Sequence, residues 1–101
     1  MQFALAELAT RIDAARMLAF RAAVLSTQTD RHRKETSMAK LFAGDTLVAA
    51  VDLANRVHGG FGGTTDYPVE RYLRDAYTWI AAQGTNEVHK IIVSREILKE
   101  Q

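Results

Sequence analysis

An all-α helical bundle is the fold this chain predicts, and three observations predict it. Apolar residues recur every three or four positions through most of the chain, no stretch alternates with the two-residue period of a strand, and the glycines concentrate in one place. The whole chain of 101 residues, 1–101, reads as one domain, with 48% hydrophobic and 25% charged residues.

The first helix runs from Phe3 to about Leu25, where Leu5, Leu8, Ile12, Ala15, Ala19 and Ala22 form a stripe without a glycine or proline. No capping residue precedes it, so the stripe looks cut into rather than started. Exposed Phe3, Leu5 and Leu8 are expected to make the chain self-associate. Ser26 to Ser37 is polar throughout and reads as a solvated inter-helix loop, with Arg31, Arg33 and Lys34 in water. The second helix then starts near Thr36 or Ser37, either a competent cap, and continues through Leu41, Phe42, Leu47 and Val51 to Val57. Asp45 and Asp52, seven residues apart, share one face and read as ion-pairing groups rather than an acid–base pair.

From Arg56 to Asp75 the pattern turns over, for this stretch holds four of the six glycines and the only proline. Two readings stay open. In the first, Gly59 ends a helix with a left-handed backbone and Pro68 opens the next with its preset φ. In the second, a bare backbone lies against a ligand, because one cap does not require so many glycines. The third helix opens at Pro68, with Asp66 and Glu70 at its positive end, and carries Val69, Tyr72, Leu73, Ala76, Trp79 and Ile80. Gly84 breaks it. Thr85 caps a fourth helix containing Val88, Ile91, Ile92 and Leu98.

Composition excludes several classes of function. A formal charge of +1, with both signs interspersed, argues against a nucleic acid or an anionic membrane as partner. Without cysteine there is no disulfide, thiol nucleophile or thiolate metal site, which fits a reducing compartment such as the cytoplasm. His32, His58 and His89 fall in separate segments, so no metal site is expected. The glycine loop is neither a P-loop, lacking Gly-Lys-Ser/Thr, nor a dinucleotide fingerprint, since a helix precedes it. What remains are two helix N-termini, one after Thr64 to Asp66 and one after Gly84, suited to an anion or to a thioester carbonyl.

Val57-His58-Gly59-Gly60-Phe61-Gly62, then Tyr67-Pro68-Val69-Glu70-Arg71-Tyr72-Leu73-Arg74-Asp75-Ala76, then Gly84-Thr85-Asn86-Glu87-Val88 resemble the C-terminal signature of the acyl-CoA dehydrogenase family. The resemblance extends upstream through Ala39-Lys40-Leu41-Phe42-Ala43 and Phe3-Ala4-Leu5-Ala6-Glu7-Leu8-Ala9, nearly the whole chain. It implies the C-terminal helical bundle, lacking its first helix, of a larger three-domain FAD flavoenzyme that oxidises the α,β bond of an acyl-CoA. It also implies a homotetramer or hetero-oligomer, an electron-transfer flavoprotein as acceptor, and the mitochondrial matrix if the source is eukaryotic. By the same resemblance, Arg56, Val57, His58, Gly59 and Gly60 contact the FAD of a neighbouring subunit, although the family's usual residue at the first position is Gln. Thr85, Asn86 and Glu87 contact FAD, and Gly84 adjoins the substrate thioester. The glycine bend and the second helix mouth are thus expected to open on a common groove.

Gln83 departs from the family, whose usual residue there is the Glu that removes the α proton. An amide has no useful basicity. Three explanations stay open: a base on the preceding helix, which would lie upstream of Met1; a paralogous subunit kept only as a scaffold; or a different reaction, or an engineered change, on the same scaffold.

Overall fold

One helix carries the other three. The computed structural model describes residues 1–101 and contains α1 (Gln2–Gln28), α2 (Arg33–His58), a 3-10 turn (Gly59–Gly63), α3 (Val69–Ala81) and α4 (Asn86–Lys99), with no strand. α1, α3 and α4 all pack on α2 and barely touch one another. Accordingly, the buried positions of α2 point in several directions and are mostly small: Ser37, Ala39, Gly44, Thr46 and Val51. Small side chains let neighbouring helices approach closely; at Gly44 the Asn86 amide oxygen lies 2.7 Å from where a Cβ would stand.

The helix hairpin corrects the expected loop. α1 continues to Gln28 and α2 begins at Arg33, leaving only Thr29–His32 as connection. The hydroxyls of Ser26 and Thr27 donate to the carbonyls of Ala23 and Val24, both at 2.7 Å, so these polar residues are absorbed into the helix. At the start of α2, Glu35 lies in the first turn and reaches Arg21 of α1 at 3.6 Å, while Lys34 bonds Glu100 at the end of α4. Ser37 is no cap; it is buried inside α2. The polarity of 26–37 marks an exposed hairpin tip, not a missing helix.

The apolar stripes are wider than the seams they form. On α1 the residues turned toward α2 are Ala4, Leu8, Arg11, Ala15, Leu18, Ala22 and Leu25, a three–four spacing that shares Leu8, Ala15 and Ala22 with the predicted stripe. Leu5 and Ile12 instead stay exposed, as do Phe3, Met17, Phe20 and Val24. Leu8 is thus seated on α2 beside Ala49 and Leu53 rather than exposed as expected. α3 buries Val69 and Ala76, half-buries Leu73 and Ile80 on the same face, and leaves Tyr72 and Trp79 exposed. On α4 the inward positions are Asn86, His89, Ile92, Val93 and Glu96, so Val88, Ile91 and Leu98 face outward.

These outward faces leave a large surface. The accessible area is 7,315 Å², about 1,600 Å² above the roughly 5,700 Å² of a compact monomer of this mass. The radius of gyration is 16.0 Å against about 13 Å for a compact domain of this length. No helix is long and apolar enough to cross a membrane.

Candidate functional site

The glycine bend begins where α2 stops. Gly59 has φ 60° and ψ −136°, a conformation closed to residues with a Cβ except at a cost, so the helix ends here as expected, though outside the left-handed helical well. A Cβ added at Gly59, Gly60 or Gly63 would meet nothing within 4 Å, whereas one at Gly62 would press into Asn55, lying 2.7 Å from its backbone oxygen. The bend is therefore fastened from below at Gly62 and bare on top. Tyr67 closes it from the side, standing edge-on to His58 and to Phe61 with ring centroids 5.7 Å apart in each pair.

Arg56 and His58 are oriented by the same helix end. Arg56 Nε pairs with Asp52 Oδ2 at 3.0 Å one turn back, its guanidinium otherwise in solvent. His58 Nδ1 lies 2.7 Å from the carbonyl oxygen of Ala54, and because a carbonyl only accepts, that nitrogen carries the proton. Val57 is exposed beside them.

The second mouth is the start of α4. Thr85 caps it as expected, its Oγ1 accepting from the N–H of Val88 at 3.4 Å. The N–H groups of Asn86 and Glu87 have no intrahelical partner, as helix geometry requires. The Asn86 side chain is turned into the fold: Nδ2 donates to Asp45 Oδ1 at 2.7 Å, and Oδ1 is buried against Gly44 without a partner. Asn86 therefore offers a ligand its backbone amide. Glu87 is exposed at the positive end of the helix.

Gln83 and Gly84 form the turn that leads into this mouth. Both have positive φ, 57° and 100°. The Gln83 side chain is exposed and its carbonyl lies 3.3 Å from Nε2 of His89.

The two mouths are not side by side. Asn86 rests on Gly44 and Asp45 near the middle of α2, while Gly59 and Gly60 follow its last residue, about 20 Å away at 1.5 Å per residue. Asp45 and Arg56 nevertheless share one face of α2, three turns apart. A groove of about 550 Å³ lies on that face, lined by Asp45, Asp52, Leu73, Tyr77 and Asn86, but no residue of Arg56–Gly63 lines it, so the expected common groove is not found. Asp45 and Asp52 are each engaged, with Asn86 and Arg56, in keeping with ion and hydrogen-bond pairing rather than acid–base work.

Contacts that were not foreseen include Asn55 beneath Gly62, Lys40 at the end of α3, His89 behind Gly84, and Asn86 on Asp45. His89 had a signal in the chain, since it recurs with Asn86, Ile92, Val93 and Glu96 at helical spacing on one face.

A bundle organised around one helix, with a bare glycine bend at its end and the start of α4 at its middle, defines a four-helix domain. Residues 1–98 match the family described as "Acyl-CoA dehydrogenase, C-terminal domain". The chain belongs to the acyl-CoA dehydrogenase family.

It is 45% identical over 100 residues to a cyclohexane-1-carbonyl-CoA dehydrogenase of Geobacter metallireducens, covering 99% of this chain and 26% of that protein. It is 46% identical over 98 residues to an acyl-CoA dehydrogenase of Bacillus subtilis, covering 97% and 26%. Among solved structures, butyryl-CoA dehydrogenase from Megasphaera elsdenii superposes with a TM-score of 0.90 at 32% identity, over 96% of this chain and 25% of that one. A chain from the structure of the electron transferring flavoprotein of Acidaminococcus fermentans superposes with a TM-score of 0.91 at 41% identity, over 97% and 26%. The chain thus spans about a quarter of the length of the relatives it matches.

Proposed function

We propose that residues 1–101 form the C-terminal domain of an FAD-dependent acyl-CoA dehydrogenase, a larger protein that oxidises the α,β bond of an acyl-CoA thioester to the enoyl-CoA. The observation that carries this reading is the family match through Gly84-Thr85-Asn86-Glu87, with those residues at an open helix mouth. The bare faces of Gly59, Gly60 and Gly63 fit a large planar or pyrophosphate ligand, because any side chain there would occupy the space it needs. When bound, FAD supplies the acceptor for the hydride leaving the β carbon.

The chain's own residues have narrower tasks. Arg56, through the guanidinium nitrogens that Asp52 leaves free, pairs with a pyrophosphate, and Val57 to Gly60 bring the backbone against it. The Thr85–Glu87 segment presents its amides to the flavin, and the Gly84 backbone lies by the thioester. A donor there lowers the cost of negative charge developing on the carbonyl oxygen as the α proton leaves. Gln83 takes no part in that proton transfer, so the base belongs to another segment. The roughly 20 Å between the mouths suits two flavins, one met by each mouth, and hence an oligomer such as a tetramer in which Arg56–Gly60 serve a neighbour. An electron-transfer flavoprotein is the acceptor this reading implies.

Gln83 favours a second reading: a non-catalytic helical subunit or oligomerisation module that keeps the scaffold and flavin contacts without the chemistry. One experiment separates the two. The full-length protein is loaded with FAD and mixed anaerobically with short, branched and alicyclic acyl-CoAs while flavin absorbance is followed. Bleaching supports the dehydrogenase; assembly with bound flavin and no bleaching with any thioester supports the module.

A further inference from the structure

Two donors from different helices converge on the carbonyls of a single short turn. Lys40, on α2, places Nζ 3.4 Å from both the Trp79 and the Ile80 oxygens, in the last turn of α3. His89, on α4, places Nε2 3.3 Å from the Gln83 oxygen. Carbonyls at a helix C-terminus lack intrahelical partners, and a lysine there also meets the negative end of the helix dipole. Between these anchors the backbone is held in an unfavourable form, since Gln83 carries a Cβ at φ 57°. Such conformations persist where the surroundings over-determine them.

His89 is built into this role. It is over nine-tenths buried, its Nδ1 has no partner, and a carbonyl can only accept, so Nε2 carries the proton. A Cβ on Gly84 would stand 3.1 Å from Nε2, which makes the glycine the condition for the imidazole to reach Gln83. The turn it fixes leads straight into Thr85 and the free amides of α4.

We propose that Lys40 and His89 are positioning residues: a two-point latch that fixes the Gln83–Gly84 backbone and thereby aims the Gly84–Glu87 amides at the bound thioester and flavin. This rests on the reading of that mouth as the ligand face. Neither side chain touches substrate; both act through the turn.

The test uses the full-length, flavin-loaded protein with His89→Leu and Lys40→Met, which remove the donors at similar volume, and His89→Gln and Lys40→Arg, which keep them. Residue-resolved amide hydrogen exchange at Ala82, Val88 and His89, the bonded amides on either side of the turn, reads the latch whether or not the protein turns over. Exchange there is expected to quicken at least tenfold in His89→Leu and to return within threefold of wild type in His89→Gln. With an acyl-CoA that reduces the wild-type flavin, kcat/KM is expected to fall at least tenfold in His89→Leu, mainly in kcat, and to recover in His89→Gln. Unchanged exchange in both donor-removing variants overturns the latch. Faster exchange with kcat/KM within twofold of wild type overturns its positioning role. If wild type reduces flavin with no thioester, the dehydrogenase reading fails by itself, and the exchange measurement with its rescue decides the latch.

Discussion

The molecule contains two glycine turns built on opposite plans. The Gly59–Gly63 bend is loose on its outer side, with open space over Gly59, Gly60 and Gly63 and one tight contact, Gly62 on Asn55. The Gln83–Gly84 turn is tight, its glycine wedged against His89, its Gln83 carbonyl taken by His89, and the Trp79 and Ile80 carbonyls of α3 just before it taken by Lys40. In the second turn glycine is needed because a side chain inside is already close; in the first it leaves open space, which is what the proposed flavin contact requires.

Alanine substitutions break this contrast in graded steps. The largest effect is expected at Gly62→Ala, where the added methyl meets Asn55 backbone that cannot swing away; a loss of about 3 kcal/mol, read by denaturant unfolding, is expected. Gly84→Ala should cost about 2 kcal/mol, combining positive φ with a 3.1 Å contact to a side chain that can yield slightly. Thr85→Ala, losing a long capping bond at the mouth of α4, should cost about 1 kcal/mol by the same measurement. Gly60→Ala sharpens the comparison most: stability should stay within about 0.5 kcal/mol of wild type while FAD affinity, measured by titration of the full-length apoprotein, falls at least tenfold. Unchanged flavin affinity in that variant would show that the open bend faces no ligand.

The smallest expected effect is electrostatic. Lys99 holds the Glu96 carboxylate below its ordinary range, chiefly by hydrogen bonding. A depressed folded-state pKa stabilises above the unfolded value, near 4.3, and the contribution is lost as pH falls through the folded one. Because Lys99 is largely exposed and the pair is screened by water on that side, Glu96→Gln should leave the pH 7 midpoint almost unmoved and slightly flatten the acid limb of the unfolding curve, less so in molar salt.

Much of the fold was legible because periodicity survives context. The breaks at Gly59 and Gly84, the cap at Thr85 and the opening at Pro68 all stand where glycine, proline and hydroxyl chemistry put them. The hairpin tip was misread because polarity reports exposure, and a solvated helix is as polar as a loop. The inward face of α4 is not legible for a related reason: its apolar residues are more numerous than this chain buries, so their spacing does not tell the seam at His89 and Ile92 from the open faces at Val88 and Ile91. At the candidate site the chain disclosed where the backbone bends after α2 and where α4 opens. It did not disclose that Asn86 turns inward to Asp45 or that His89 reaches Gln83, since both depend on how close α4 lies to Gly44 and to the preceding turn.

Because the outer helices lean on α2 rather than on each other, the gap between the two mouths is measured out by a single rod of backbone. One residue inserted between Asp45 and Arg56 would lengthen that gap by only about 1.5 Å but would swing one mouth about 100° around the axis relative to the other. A substitution along α2 leaves that phase as it is, whereas any change in the number of its residues turns the two ends out of register.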